Sequence, residues 1–165
     1  MTARECQSQA CNRVDSIETM ALKTHGTRPE MTPDYCNSRS AGHLPGLVGL
    51  TILSVGPEGI ESRLDVRKDL MAPNGFLHAA TVVALADTSC GYACVANLPQ
   101  GAVGFTTLEL KSNFFGTTQQ GAIFCRARPL HLGRTTQVWD AEVVIEGTEK
   151  RIALFRCTQM VLWPK

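Results

Sequence analysis

The sequence predicts an α+β fold in which one curled antiparallel sheet wraps a single long helix. Three observations predict it. The stretch from about Ala79 to Ala96 is rich in Ala, Leu and Val, with no proline and one glycine, which is four to five turns of helix. Two strand-like runs precede it and four follow. The breaks between the runs are short clusters of Gly, Pro and polar residues, and short connections favour antiparallel neighbours. A sheet that must bury one apolar rod curls around it.

In chain order, residues 1 to about 40 are polar and lack a sustained period, which predicts a flexible N-terminal tail. A short helix around Val14–Lys23 is the alternative there. Met20 and Met31 both lie in this region and the folded pattern begins after Met31, so a start later than Met1 is expected. Residues 41–165 are expected to form one domain. Leu47–Val55 is apolar and β-branched and reads as a strand, and Gly56-Pro57-Glu58-Gly59 is a turn. Ile60, Ser62, Leu64 and Val66 then alternate with Glu61, Arg63, Asp65 and Arg67, a strand with one wet face. After Leu98-Pro99-Gln100-Gly101 come Val103–Phe115, Ala122–Leu130, Thr136–Ile145 and Arg151–Leu162. Trp139, Ala141, Val143 and Ile145 share a face of the third of these runs, opposite Asp140 and Glu142.

The helix is apolar nearly all round, so it belongs in an interior. Its one carboxylate, Asp87, is costly there unless it is paired, hydrogen-bonded or solvated by a cleft. Ala80, Ala84, Asp87, Gly91 and Cys94 fall along one stripe of small residues. One sheet cannot cover a whole helix, so the uncovered side is expected to meet a second copy or a ligand.

Composition excludes several classes. The 165 residues carry 44% hydrophobic and 19% charged side chains, with a formal net charge of +1. No basic block marks a nucleic-acid or membrane partner, and no apolar run is expected to span a bilayer. Seven cysteines with no secretory signal before them read as reduced thiols in a cytoplasmic protein. Cys90 and Cys94 lie one helical turn apart, but no His or carboxylate pattern completes a metal site. There is no Gly-x-Ser-x-Gly elbow and no phosphate-binding glycine motif.

The run Asn74-Gly75-Phe76-Leu77-His78-Ala79-Ala80, with Asp87 nine positions after the histidine, resembles the hotdog-fold acyl-CoA thioesterases of the PaaI type. The likeness covers about Leu44 to Leu162. It includes Thr107-Leu108-Glu109-Leu110-Lys111-Ser112-Asn113-Phe114-Phe115 after the helix and His131-Leu132-Gly133-Arg134-Thr135-Thr136 before the next-to-last strand. The family pattern has Gly-Gly after the histidine where this chain has Ala79-Ala80. The Asn or Gln often found six positions before the histidine is Ala72 here, and the nearest amide is Asn74.

The resemblance implies a homodimer or homotetramer that hydrolyses small or medium, including aromatic, acyl-CoA thioesters. It implies no metal and no cofactor, coenzyme A being part of the substrate. Asp87 would act as base for water or as nucleophile on the carbonyl. The start of the helix offers unpaired N–H groups for a developing oxyanion, those of Ala79 and Ala80. His78 reads as a second catalytic candidate or as a residue bonded to nearby backbone, and Asn74 as a substrate contact or a plain turn residue beside Gly75. Thr106 and Thr107 offer hydroxyls or are ordinary strand threonines. Arg134 and Thr135 would contact the phosphates of coenzyme A, with Arg126, Arg128 and Lys111 as further options. A hydratase or dehydratase of the same fold, or a non-catalytic acyl-CoA-binding module, is the competing expectation.

Overall fold

The computed structural model describes residues 26–165. The expected helix at Val14–Lys23, Met20, Cys6 and Cys11 lie outside the described residues. Helix α1 spans Pro33–Ser40 and α2 spans Leu44–Val48; strands β1 (Leu50–Gly56) and β2 (Gly59–Asp65) follow, then a 3₁₀ turn at Lys68–Leu70. The long helix α3 covers Ala79–Ala96, and β3 (Gly104–Phe114), β4 (Ala122–Leu132), β5 (Thr136–Ile145) and β6 (Arg151–Leu162) complete the chain. The sheet has six strands in the order β1-β2-β4-β5-β6-β3, and each pairing is antiparallel. Helix α3 packs against all six. This is the hotdog layout the sequence predicts, with the helix in its predicted bounds.

Period-2 alternation makes the core. Trp139, Ala141 and Val143 of β5 are buried in the core with Ala153, Phe155, Cys157 and Val161 of β6. Asp140 faces outward and accepts two hydrogen bonds from Arg156, at 2.5 and 2.7 Å. Leu85, Ala86, Cys90, Ala93 and Cys94 form the covered side of α3. Cys94 therefore belongs to the core and not to the expected stripe. The stripe left half-covered runs through Val83, Ala84, Asp87, Thr88, Gly91, Tyr92 and Val95. The helix has the length and apolarity of a membrane span, contrary to the sequence expectation; the sheet around it accounts for that composition.

Two expectations are corrected. Ordered packing begins before residue 41. Thr32 caps α1 by accepting from the Tyr35 N–H at 3.1 Å, Pro33 occupies its first turn, and Met31 and Cys36 are buried. Further upstream, the Arg28 N–H donates to Ala96 O at 2.7 Å and its guanidinium to Ala102 O at 2.8 Å. So few buried apolar residues leave no helical period to read. The run Leu47–Val55 is also not one strand. Pro45 opens α2, Gly49 ends it in the left-handed region at φ 79°, and β1 starts only at Leu50.

The five described cysteines Cys36, Cys90, Cys94, Cys125 and Cys157 are free and buried. Burial pushes the Cys94 and Cys125 thiols up to about 12. They are small apolar packing groups.

Candidate active site

The chain enters α3 through a tight loop. Gly75 takes φ 82°, and the Asn74 side chain accepts from the Phe76 N–H at 3.2 Å, a turn closed by its own side chain. Gln119 donates to Gly75 O at 3.2 Å, and the His78 N–H donates to Leu70 O at 3.1 Å. Asn74 is thus placed as a turn residue. His78 is the N-cap of α3: its Nδ1 accepts from the Ala80 N–H at 3.0 Å. The Ala80 donor is therefore engaged, which corrects its expected role beside an oxyanion. The Ala79 N–H, at the first helical position, has no partner among the described residues. A cavity of about 580 Å³ lies beside this loop, lined by Arg67, Lys68, Met71, Ala72, Gly75 and Gln119 among others.

Asp87 sits two turns further on, half-buried. Burial raises its pKa above the ordinary 3.8, because the charged form loses water it would otherwise keep. Its Oδ1 has no hydrogen-bond partner among the described residues. The carboxyl is not sealed in, however. It lines a cavity of about 270 Å³ together with Thr88, Gly91, Tyr92, Val95, Phe105 and Thr107. A carboxylate that is desolvated, unpaired and open to a cavity suits proton abstraction from water.

Strand alternation decides between the two threonines. Thr107 faces the Asp87 cavity, whereas Thr106 points to the other face of β3 and is exposed. Thr106 is therefore replaced by Thr107. Arg134 and Thr135 lie at the end of the sheet away from the loop, two strands across from Phe105 and Thr106. The Arg134 guanidinium stacks on the Trp163 ring, 4.5 Å from its centroid, and Trp163 packs near Gly101, beyond the C-terminus of α3. Arg126 is on the outer sheet face, bonded to Glu61 at 3.2 Å. Within one chain neither Arg134 nor Arg126 joins Asp87. Thr88, Tyr92 and Val95 were missed; the i, i+4 spacing applied from Asp87 and Thr88 reaches Gly91, Val95 and Tyr92 directly.

The same period separates the two chemical elements. Ala79 and Asp87 are eight residues apart, about 12 Å along the axis of one helix. One chain cannot bring both to a single carbonyl.

Comparison with known proteins agrees with the fold. The family model described as thioesterase superfamily matches residues 74–152, the stretch from Asn74 to Ile152 that contains the loop, α3 and most of the sheet. A 1,4-dihydroxy-2-naphthoyl-CoA hydrolase of Listeria monocytogenes is 30% identical over 111 residues, which is 67% of this chain and 89% of that protein. The chain belongs to the thioesterase superfamily. A crystal structure of a thioesterase from Haemophilus influenzae superposes with a TM-score of 0.74 at 29% identity, covering 79% of this chain and 90% of that one. A Pseudomonas aeruginosa thioesterase, solved as a mutant, gives a TM-score of 0.77 at 25% identity, with 82% and 97% covered. The thioesterase described here is thus a hotdog-fold thioester hydrolase.

Proposed function

We propose that this thioesterase hydrolyses small acyl-coenzyme A thioesters, including aromatic ones, at a site shared by two copies of the chain. One copy supplies Asp87 and its cavity; the other supplies the Ala79 N–H and the loop from Met71 to His78. The observation that carries the reading is the half-buried Asp87 side chain lining a mostly apolar cavity, with its Oδ1 unpartnered among the described residues. The half-covered stripe of α3 and the exposed apolar residues Leu108, Leu110 and Phe114 on edge strand β3 supply a surface for the second copy.

In this reading Asp87 takes a proton from water as the water oxygen bonds to the acyl carbon. The carbonyl oxygen gains the negative charge and is held by the Ala79 N–H at the positive end of α3. Collapse breaks the carbon–sulfur bond, coenzyme A leaves as thiolate, and the proton on Asp87 returns to it. Direct attack by Asp87 to form a mixed anhydride is the alternative route. Label in the Asp87 carboxyl after a single turnover in ¹⁸O-water identifies the anhydride route in which water opens the anhydride at the Asp87 carbon. His78 stays outside the proton transfers, since its Nδ1 caps the helix. The Lys68 cation beside the larger cavity suits the phosphates of coenzyme A, whereas the Arg67 guanidinium is held by Asp69 and by the Val48 and Leu47 carbonyls.

The test is thiol release from a panel of acyl-CoAs by the wild type and by Asp87→Ala. Turnover in the wild type, lost in a folded variant that still binds, supports the reading. Hydration of an enoyl-CoA without thiol release, or binding with no turnover, overturns it.

A further inference from the structure

The wall of the Asp87 cavity is tied to an element that the sequence reads as tail. Tyr92 lines the cavity, and its hydroxyl lies 2.9 Å from Ser40 Oγ at the end of α1. Ser40 is buried, and its hydroxyl donates to Cys36 O at 3.1 Å. A serine hydroxyl has one proton, so the phenol must donate to Ser40. The anchor is itself fixed: Cys36 is buried, and Asn37 bonds to both backbone groups of Ile52 in β1. The Tyr92 ring is thereby held at one position relative to the sheet.

We propose that Ser40 is a specificity-determining positioning residue, which sets the closed end of the acyl slot through Tyr92 and matches it to a single-ring aryl acyl group. This rests on the reading of the Asp87 cavity as the acyl site. The size argues for a small group. About 270 Å³ is the room of roughly nine waters at about 30 Å³ each. On one chain it falls short of the about 300–1,000 Å³ of sites that enclose a whole drug-sized ligand, which suits the acyl end rather than the whole thioester. The walls argue for a flat apolar group. Tyr92 and Phe105 present aromatic rings, Val95 is aliphatic, and Gly91 adds no side chain. The Phe105 ring comes within 3.2 Å of where a Gly91 Cβ would stand, so the glycine lets that ring lie against the helix as a cavity wall.

The experiment compares acetyl-, benzoyl- and decanoyl-CoA in the wild type, Ser40→Ala, Tyr92→Phe and the double variant, with thermal unfolding to confirm that each is folded. The wild type is expected to prefer benzoyl-CoA. Ser40→Ala raises KM for benzoyl-CoA at least fivefold, leaves the KM for acetyl-CoA within twofold, and changes kcat by less than twofold. Tyr92→Phe does the same while leaving the Ser40–Cys36 bond in place, and the double variant is no worse than either single one. Equal loss on all three substrates, no change, additive losses, or a wild-type preference for acetyl- or decanoyl-CoA overturns the proposal. If the wild type releases thiol from none of the three, the proposed function itself has failed.

Discussion

Asn37 closes both free backbone groups of Ile52. The Ile52 N–H donates to its Oδ1 at 2.8 Å, and its Nδ2 donates to the Ile52 carbonyl at 3.0 Å. Strand β1 is an edge of the sheet, so these two groups would otherwise face outward with no strand beside them. One side chain does for this edge what another strand would do, and it docks α1 at the same time.

Asn37→Ala is expected to destabilise the protein by about 1–3 kcal/mol, the cost of two lost hydrogen bonds at a partly covered site. Urea unfolding of the variant and the wild type measures it. Asn37→Asp keeps the acceptor and loses the donor, and is expected to fall between them.

Asp87→Asn is expected to lower kcat by about 10²–10⁴-fold, the usual range for removal of a positioned base. In the wild type the active form is the ionised carboxylate. Because burial raises the Asp87 pKa, kcat/KM is expected to climb with pH through a midpoint above the ordinary 3.8. A pH–rate profile with no acid limb above that value would contradict the assignment.

The same shift fixes the sign of a stability effect. In the folded state Asp87 holds its proton to higher pH than in the unfolded chain, so between the two pKa values the folded state binds more protons. Its contribution to stability is present below the unfolded pKa and is lost as pH rises through the folded one. Asp87→Asn carries no ionising group, so its melting temperature is expected to exceed that of the wild type at neutral pH. The difference should vanish at acid pH, where Asp87 is protonated. Thermal melts at two pH values decide this.

Ala79→Pro removes the N–H assigned to the oxyanion while leaving α3 intact. Proline is well tolerated at the first helical position, and His78 before it already has φ −67° and ψ 136°, as a residue preceding proline requires. A fall in kcat of about 10²–10³-fold with unchanged circular dichroism is expected. Near-normal turnover would move the donor elsewhere.

Much of this could be read from the residues alone. The apolar run without proline gave α3, and alternation gave β2 and β5, because both periods are properties of single elements. Asp87 stood out for the same reason, as the one carboxylate in an interior helix. What was hidden depends on contacts between distant segments. Nothing in Cys36, Asn37 or Ser40 announces that they dock on β1 and Tyr92, since their contacts are single and follow no period. The engagement of the Ala80 N–H by His78 and the facing of Thr107 rather than Thr106 turn on side-chain direction at one position. Arg134 follows a motif, but its guanidinium is spent on Trp163, far along the sheet from the loop it would need to join.

The roughly 12 Å between Ala79 and Asp87 on one rigid rod makes genetic complementation the natural readout of their partnership. In a two-fold dimer, a chain lacking the carboxylate and a chain lacking the backbone donor pair into a hybrid with one intact centre and one doubly defective centre. Mixing equal amounts of the inactive Asp87→Asn and Ala79→Pro proteins, then unfolding and refolding them together, should recover about a quarter of the wild-type rate. Two such dead proteins that stay dead after subunit exchange would mean that each chain works alone.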